Sequence, residues 1–153
     1  MTRSATHRAQ RGMSLLETLV SVLIFSIGVL AIVALQATSI KATTDAKLRA
    51  DASFLANQLV GRMWVANRTD AADPNFLGTY SHNPGGPACA PAGAPSPNPR
   101  VGEWLASVAN TLPGAAAGRQ MIVLGANNVV TVTVCWQVGD DTRQFVLQTQ
   151  ING

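Results

Sequence analysis

Apolar and polar positions divide this chain into three regimes. From Leu15 to Leu35 nearly every position is apolar, and Leu19 to Leu35 holds no charged residue. From Leu48 the pattern thins to a stripe: Leu48, Ala52, Leu55, Leu59 and Met63 recur at spacings of four, three, four and four. That is the period of a helix with one buried face. Lys47, Arg49, Asp51, Gln58 and Arg62 occupy its other faces. No proline occurs before Pro74, so both regimes fit one helix from about Met13 to about Asn67. Such a helix is about 80 Å long at 1.5 Å per residue. Gly28 and Gly61 weaken it locally by about 1 kcal/mol each relative to alanine. Gly28 reads as a bend, a close helix contact or a tolerated glycine.

The third regime begins with a break. Residues 70 to 101 hold seven of the eight prolines, together with Gly78, Gly85, Gly86 and Gly93. This is a turn-rich connection without periodicity. It reads either as a variable insert or as a surface that touches a neighbouring subunit. Trp104, Leu105, Val108 and Leu112 then suggest a short helix over 102–112, stopped by Pro113-Gly114. Arg119 to Leu124, Val129 to Val138 and Thr142 to Ile151 read as three strands of an antiparallel meander, with turns at 126–128 and 139–141. In the second strand Val130, Val132, Val134 and Trp136 alternate with Thr131, Thr133, Cys135 and Gln137. The apolar face belongs against the Leu48–Met63 stripe, and Cys135 then points away from the helix. In the third strand Phe145, Leu147 and Ile151 share a face that Thr149 interrupts. The fold class expected is α+β: a long N-terminal α-helix packed on a small antiparallel β-sheet.

Charge changes the reading of the N-terminus. The 153-residue chain has a net charge of +3, and only 12% of its residues are charged. Arg3, Arg8 and Arg11 precede Gly12; the eight remaining basic residues face eight acids, so the rest of the chain is balanced. A basic flank ahead of a membrane-length apolar helix predicts a cytoplasmic N-terminus and an exported C-terminal part. A secretory signal peptide has a shorter apolar run and a small-residue cleavage site. Here the run passes into Gln36–Arg49 without a break. A plain signal anchor explains the length and the arginines but not Glu17, a lone carboxylate at the mouth of the apolar run.

Gly12-Met13-Ser14-Leu15-Leu16-Glu17 followed by an apolar helix resembles the class III signal of type IV pilins and type II secretion pseudopilins. Met13 departs from the commonest pattern, which has phenylalanine there. The resemblance implies that a prepilin peptidase cuts between Gly12 and Met13 on the cytoplasmic side. The same enzyme would methylate the new amine of Met13. Glu17 lies four residues after Met13 on the same helix face. Its implied role is assembly: pairing with the ammonium of a neighbouring subunit offsets the cost of burying either charge alone. Residues 14–36 and 59–67 further resemble the PilV group of minor pilins.

The resemblance implies a domain plan. Residues 1–12 are the leader, 13–36 the transmembrane and filament-core helix, 37–69 its amphipathic continuation, and 70–153 a periplasmic part with the loop 70–101 and the sheet 119–151. Cys89 and Cys135 are the only cysteines. In an exported domain a disulfide between them is favoured, and it looks like the C-terminal disulfide of pilins. It would staple the proline-rich loop onto the outer face of the sheet. The implied partners are prepilin peptidase/N-methyltransferase, other minor pilins, the major pilin and, for the precursor, the inner membrane. After assembly the implied location is the pilus at the cell surface.

Chemistry of other kinds finds little support. His7 lies in the leader, and His82 has no cysteine or acid at ligand spacing, so no metal, cofactor or catalytic set is expected. Asp140-Asp141 reads as a solvated turn. Trp64, Trp104 and Trp136 read as core. There is no phosphate-cradling glycine loop, and no basic-aromatic stripe suggests nucleic acid. Nothing points to a small-molecule substrate. The expected function is structural: a minor pilin that helps to prime type IV pilus assembly. Two alternatives remain, a type II secretion pseudopilin (GspI-like) and an exported binding module on a signal anchor.

Overall fold

A computed structural model describes residues 13–69 and 76–151. Helix α1 runs without interruption over Met13–Thr69. The chain divides into two units between Thr44 and Asp45. In the first, α1 stands alone and exposed. In the second, its later turns join a core with helix α2 (Pro99–Thr111) and strands β1 (Met121–Leu124), β2 (Val129–Val138) and β3 (Asp141–Gln150). The architecture is α+β, a long N-terminal helix packed on a three-stranded antiparallel sheet of order β1-β2-β3.

The expected stripe is the buried face of α1. Leu48, Ala52, Leu55, Leu59 and Met63 are all buried, and so are Ala56, Val60 and Ala66. The buried arc is wider than the stripe because α2 covers a second flank. Trp104 on α2 is fully buried, and its Nε1–H donates to the Leu55 carbonyl at 2.9 Å. Glu103 on the same helix reaches Arg62 at 3.5 Å, in the open. Val130, Val132, Val134 and Trp136 form the inner face of β2 and share one core with α1, α2 and Ile151.

Several boundaries differ from the sequence-based expectation. Helix α2 starts at Pro99, three residues early. Proline suits a first helical position, where its fixed φ is helical and its missing N–H is not needed. Asn98 caps the helix by accepting from the Arg100 N–H at 3.0 Å. Strand β1 starts at Met121, because Ala117–Arg119 form a 3-10 turn instead. Strand β3 occupies Asp141–Gln150. Its inner face does not break at Thr149: Arg143, Phe145, Leu147 and Thr149 are all half-buried while their alternates are exposed. The proline-rich stretch is also not structureless. Phe76–Tyr80 forms a 3-10 helix, and Leu77 and Tyr80 enter the core.

The register fixes how the loop meets the sheet. Met121 pairs Thr133 and Leu124 pairs Val130; β2 then pairs β3 over all ten positions, from Val129–Gln150 to Val138–Asp141, with no bulge. At the far edge of β1, His82 and Ile122 exchange both backbone hydrogen bonds, at 3.1 and 2.9 Å. The loop therefore begins as an added strand position. Past the start of β1 the ladder is completed by other means. Gln120, fully buried, offers its amide to the backbone of Cys135: Oε1 accepts from the Cys135 N–H at 2.8 Å, and Nε2 donates to its carbonyl at 2.9 Å. Two residues on, the Gln137 N–H reaches the Pro113 carbonyl at 2.9 Å.

Candidate functional site

Two places in the chain carry the residues singled out by sequence: the start of α1, and the loop joined to β2. At the first, Gly12 and the leader arginines lie outside the described residues. Met13 is the first helical residue. Glu17 follows one turn later, exposed, and its carboxylate makes no ion pair among the described residues. Around it the helix is greasy on every side. Leu15, Leu19, Phe25, Leu30 and Leu35 are between 62% and 72% exposed. An 18-residue stretch of this helix reaches a mean hydropathy of 2.7, with none of it buried. A surface of that kind does not remain in water; it is covered by lipid or by other helices.

Four hydroxyls in this half are satisfied within the helix. Thr18 Oγ1 donates to the Ser14 carbonyl, Ser21 Oγ to Glu17, Ser26 Oγ to Val22 and Thr38 Oγ1 to Ala34, at 2.7–3.2 Å. Each hydroxyl reaches back one turn, the geometry that hides a donor in an apolar helix. Glu17 alone is left with a charge to be met. A helix with one unmet carboxylate near its start can accept a cation from another molecule.

This start of the helix is a recognised signal. Residues 7–33 match the prokaryotic N-terminal methylation motif. The match spans Gly12, Met13 and Glu17 and ends inside the exposed apolar run. It supports a type IV pilin-like chain, that is, a precursor of the pilin or pseudopilin type. The motif implies processing by prepilin peptidase and assembly with other pilins, and with the apolar helix it fits anchoring in the inner membrane before assembly. No curated protein and no solved structure matches the chain.

At the second place, Cys89 and Cys135 are bonded, with their Cα atoms 5.5 Å apart and 46 positions between them in sequence. Cys135 is fully buried on the face of β2 opposite Val134 and Trp136. Cys89 adopts a left-handed φ of 64°. The approach of the loop is guided by Gly85 and Ala92, which exchange backbone bonds at 2.7 and 2.8 Å.

His82 anchors the same loop and was missed as an organising residue by sequence. It is buried; its Nδ1 accepts from the Ser96 N–H at 3.1 Å, and its Nε2 lies 3.2 Å from the Ala117 carbonyl. Ser96 in turn donates to the Thr79 carbonyl at 2.6 Å, and Asn98 Nδ2 donates to Thr79 Oγ1 at 2.9 Å. The histidine thus ties the start and end of the loop together. Nothing in a sequence marks it, because apart from the adjacent Asn83 amide its partners are backbone groups far away along the chain. No cluster of three or more metal-binding side chains forms among the described residues.

Proposed function

We propose that this chain is a minor pilin of the type IV pilus, made as a membrane-anchored precursor and built into a filament by its N-terminal helix. The carrying observation is the methylation motif over residues 7–33, set on a helix whose apolar half is wholly exposed. In this reading prepilin peptidase cuts between Gly12 and Met13 and methylates the Met13 amine. Glu17 then pairs with the amine of a neighbouring subunit and fixes its axial register. Residues 1–12 serve as the leader, 13–36 as the filament-core helix, 37–69 as its continuation, and 70–153 as the periplasmic part. The chain would join other minor pilins and the major pilin in a complex that primes assembly. Its role is structural rather than catalytic.

Mass spectrometry of the chain from cells with and without prepilin peptidase tests the processing step. The expected mature N-terminus is N-methylated Met13, seen only with the peptidase. An intact Met1 in functional protein would favour a plain signal anchor. Glu17→Ala should be cleaved normally yet enter filaments poorly; entry at the wild-type level would remove the assembly role of Glu17. The same signal and helix also fit a type II secretion pseudopilin. Cross-linking in intact cells decides between them, by whether pilus or secretion subunits are captured.

A further inference from the structure

Glu17 and Lys41 close the two ends of an uncharged helical stretch. No residue from Thr18 to Ile40 carries a charge. Val22, Leu23, Ile24 and Phe25 are four successive positions, so they look out on all sides of the helix. Each is between 58% and 72% exposed. One partner helix covers one stripe of such a surface, whereas a fluid apolar phase covers all of it. Ile40, also exposed, ends the run of large apolar side chains. Thr43 and Thr44 then fold their hydroxyls onto the Ile40 carbonyl, both at 2.9 Å.

Lys41 is exposed at this junction and makes no ion pair among the described residues. Asp45, the acid one helical turn on, is engaged with Arg143 at 3.9 Å. A lysine so placed lays its stem along the apolar surface and holds its ammonium at the polar boundary. In a bilayer that boundary is a layer of lipid phosphates, to which an ammonium donates charge-assisted hydrogen bonds.

Spacing decides the depth. Along the helix axis Glu17 and Lys41 are about 36 Å apart at 1.5 Å per residue. The hydrocarbon of a bilayer is about 30 Å thick, and with its headgroups the bilayer measures about 40–45 Å. At the tilt of about 20° common to membrane helices, the span still projects to about 34 Å. Both charges therefore clear the hydrocarbon, and both lie within the headgroup layers. A slide of one helical turn, about 5 Å, in either direction drags one of them into hydrocarbon, where a charge is costly.

We infer that Lys41 binds the phosphates of the leaflet on the exported side. With Glu17 as the stop at the other face, it sets the depth at which the chain is held in the membrane. This inference rests on the anchoring reading above, which supplies the bilayer and the direction of the helix.

The chain has two lysines, Lys41 and Lys47. A full-length Lys47→Arg variant labelled with 15N at the lysine ammonium therefore reports on Lys41 alone. It is placed in vesicles of phosphatidylethanolamine and phosphatidylglycerol and frozen, and solid-state NMR measures how far lipid 31P dephases the ammonium signal. Strong dephasing is expected. A chain that stays in the vesicles without dephasing overturns the inference alone. A chain washed out by alkaline carbonate sinks the anchoring reading and the inference with it. Galactolipid vesicles bathed in inorganic phosphate should give no dephasing; an equal effect there overturns the lipid assignment in favour of free phosphate. Depth is read separately, from a photoreactive side chain at Thr44. It should miss the acyl chains in the otherwise wild-type chain and in Lys41→Arg, and label them several-fold more in Lys41→Leu. No rise in Lys41→Leu overturns the role of Lys41 in setting depth.

Discussion

Single side chains in this core differ most in what their polar atoms find. Trp104 and Trp136 are both fully buried, yet the Trp104 N–H has the Leu55 carbonyl while the Trp136 N–H has no partner among the described residues. Trp104→Phe should therefore cost about 1 kcal/mol beyond lost packing, since a net intramolecular hydrogen bond contributes about that much. Trp136→Phe should lose packing alone, because it removes a donor that is already unmet. Denaturant midpoints of the two variants in detergent check the difference. Gln120 presents a larger effect. Gln120→Ala leaves the N–H and C=O of Cys135 without partners, at about 1–3 kcal/mol for each buried group. The Cys135 amide should also exchange faster with deuterium. Sequence exposed the tryptophans as core, through size and spacing. It did not expose Gln120, in the expected first strand, or His82, in the turn-rich stretch, because both serve backbone groups remote in the chain.

Elements were legible where a period or an absence repeats over many residues. Fifty-seven residues of α1 follow from a missing proline and a four-three stripe. Strand β2 follows from strict alternation. The shortfalls lie where chemistry is local. Pro99 falls within the expected turn-rich connection although it opens α2, and the buried alanines at 52, 56 and 66 say little about how wide an arc is covered. Glycines sort by the same logic. Gly61 lies in α1 with nothing within 4 Å of an added Cβ. Gly61→Ala should therefore stabilise the chain by about 1 kcal/mol, the helix-propensity difference. Gly114 ends the turn after α2 with φ +62°, and an added Cβ would lie 2.8 Å from the Gln137 Cβ. Gly114→Ala should destabilise through both strain and collision, and it should loosen the Pro113–Gln137 bond that extends the ladder. Thermal melts of the two variants should move in opposite directions.

At the scale of the molecule, the second unit has a modest core, and its longest irregular segment is fastened by covalent and polar ties together. Closing 46 positions by the Cys89–Cys135 bond contributes about 4 kcal/mol in the chain-entropy model. Replacing both cysteines by serine should lower the urea midpoint accordingly. Residues 83–94 should lose amide protection first, whereas β2 and β3 keep theirs, because their ladder is continuous over ten pairs. A uniform loss of protection would show that the loop and the sheet open as one unit.

The back-bonded hydroxyls of the N-terminal half carry one more consequence. Thr18, Ser21, Ser26 and Thr38 bring their own acceptors, so these hydroxyls ask nothing of their surroundings beyond being apolar. Moving them from hydrocarbon to a bed of packed side chains exchanges one oily phase for another and strips no water. Among residues 13–40 the one charged side chain is Glu17, so the electrostatic cost of such a transfer is concentrated there.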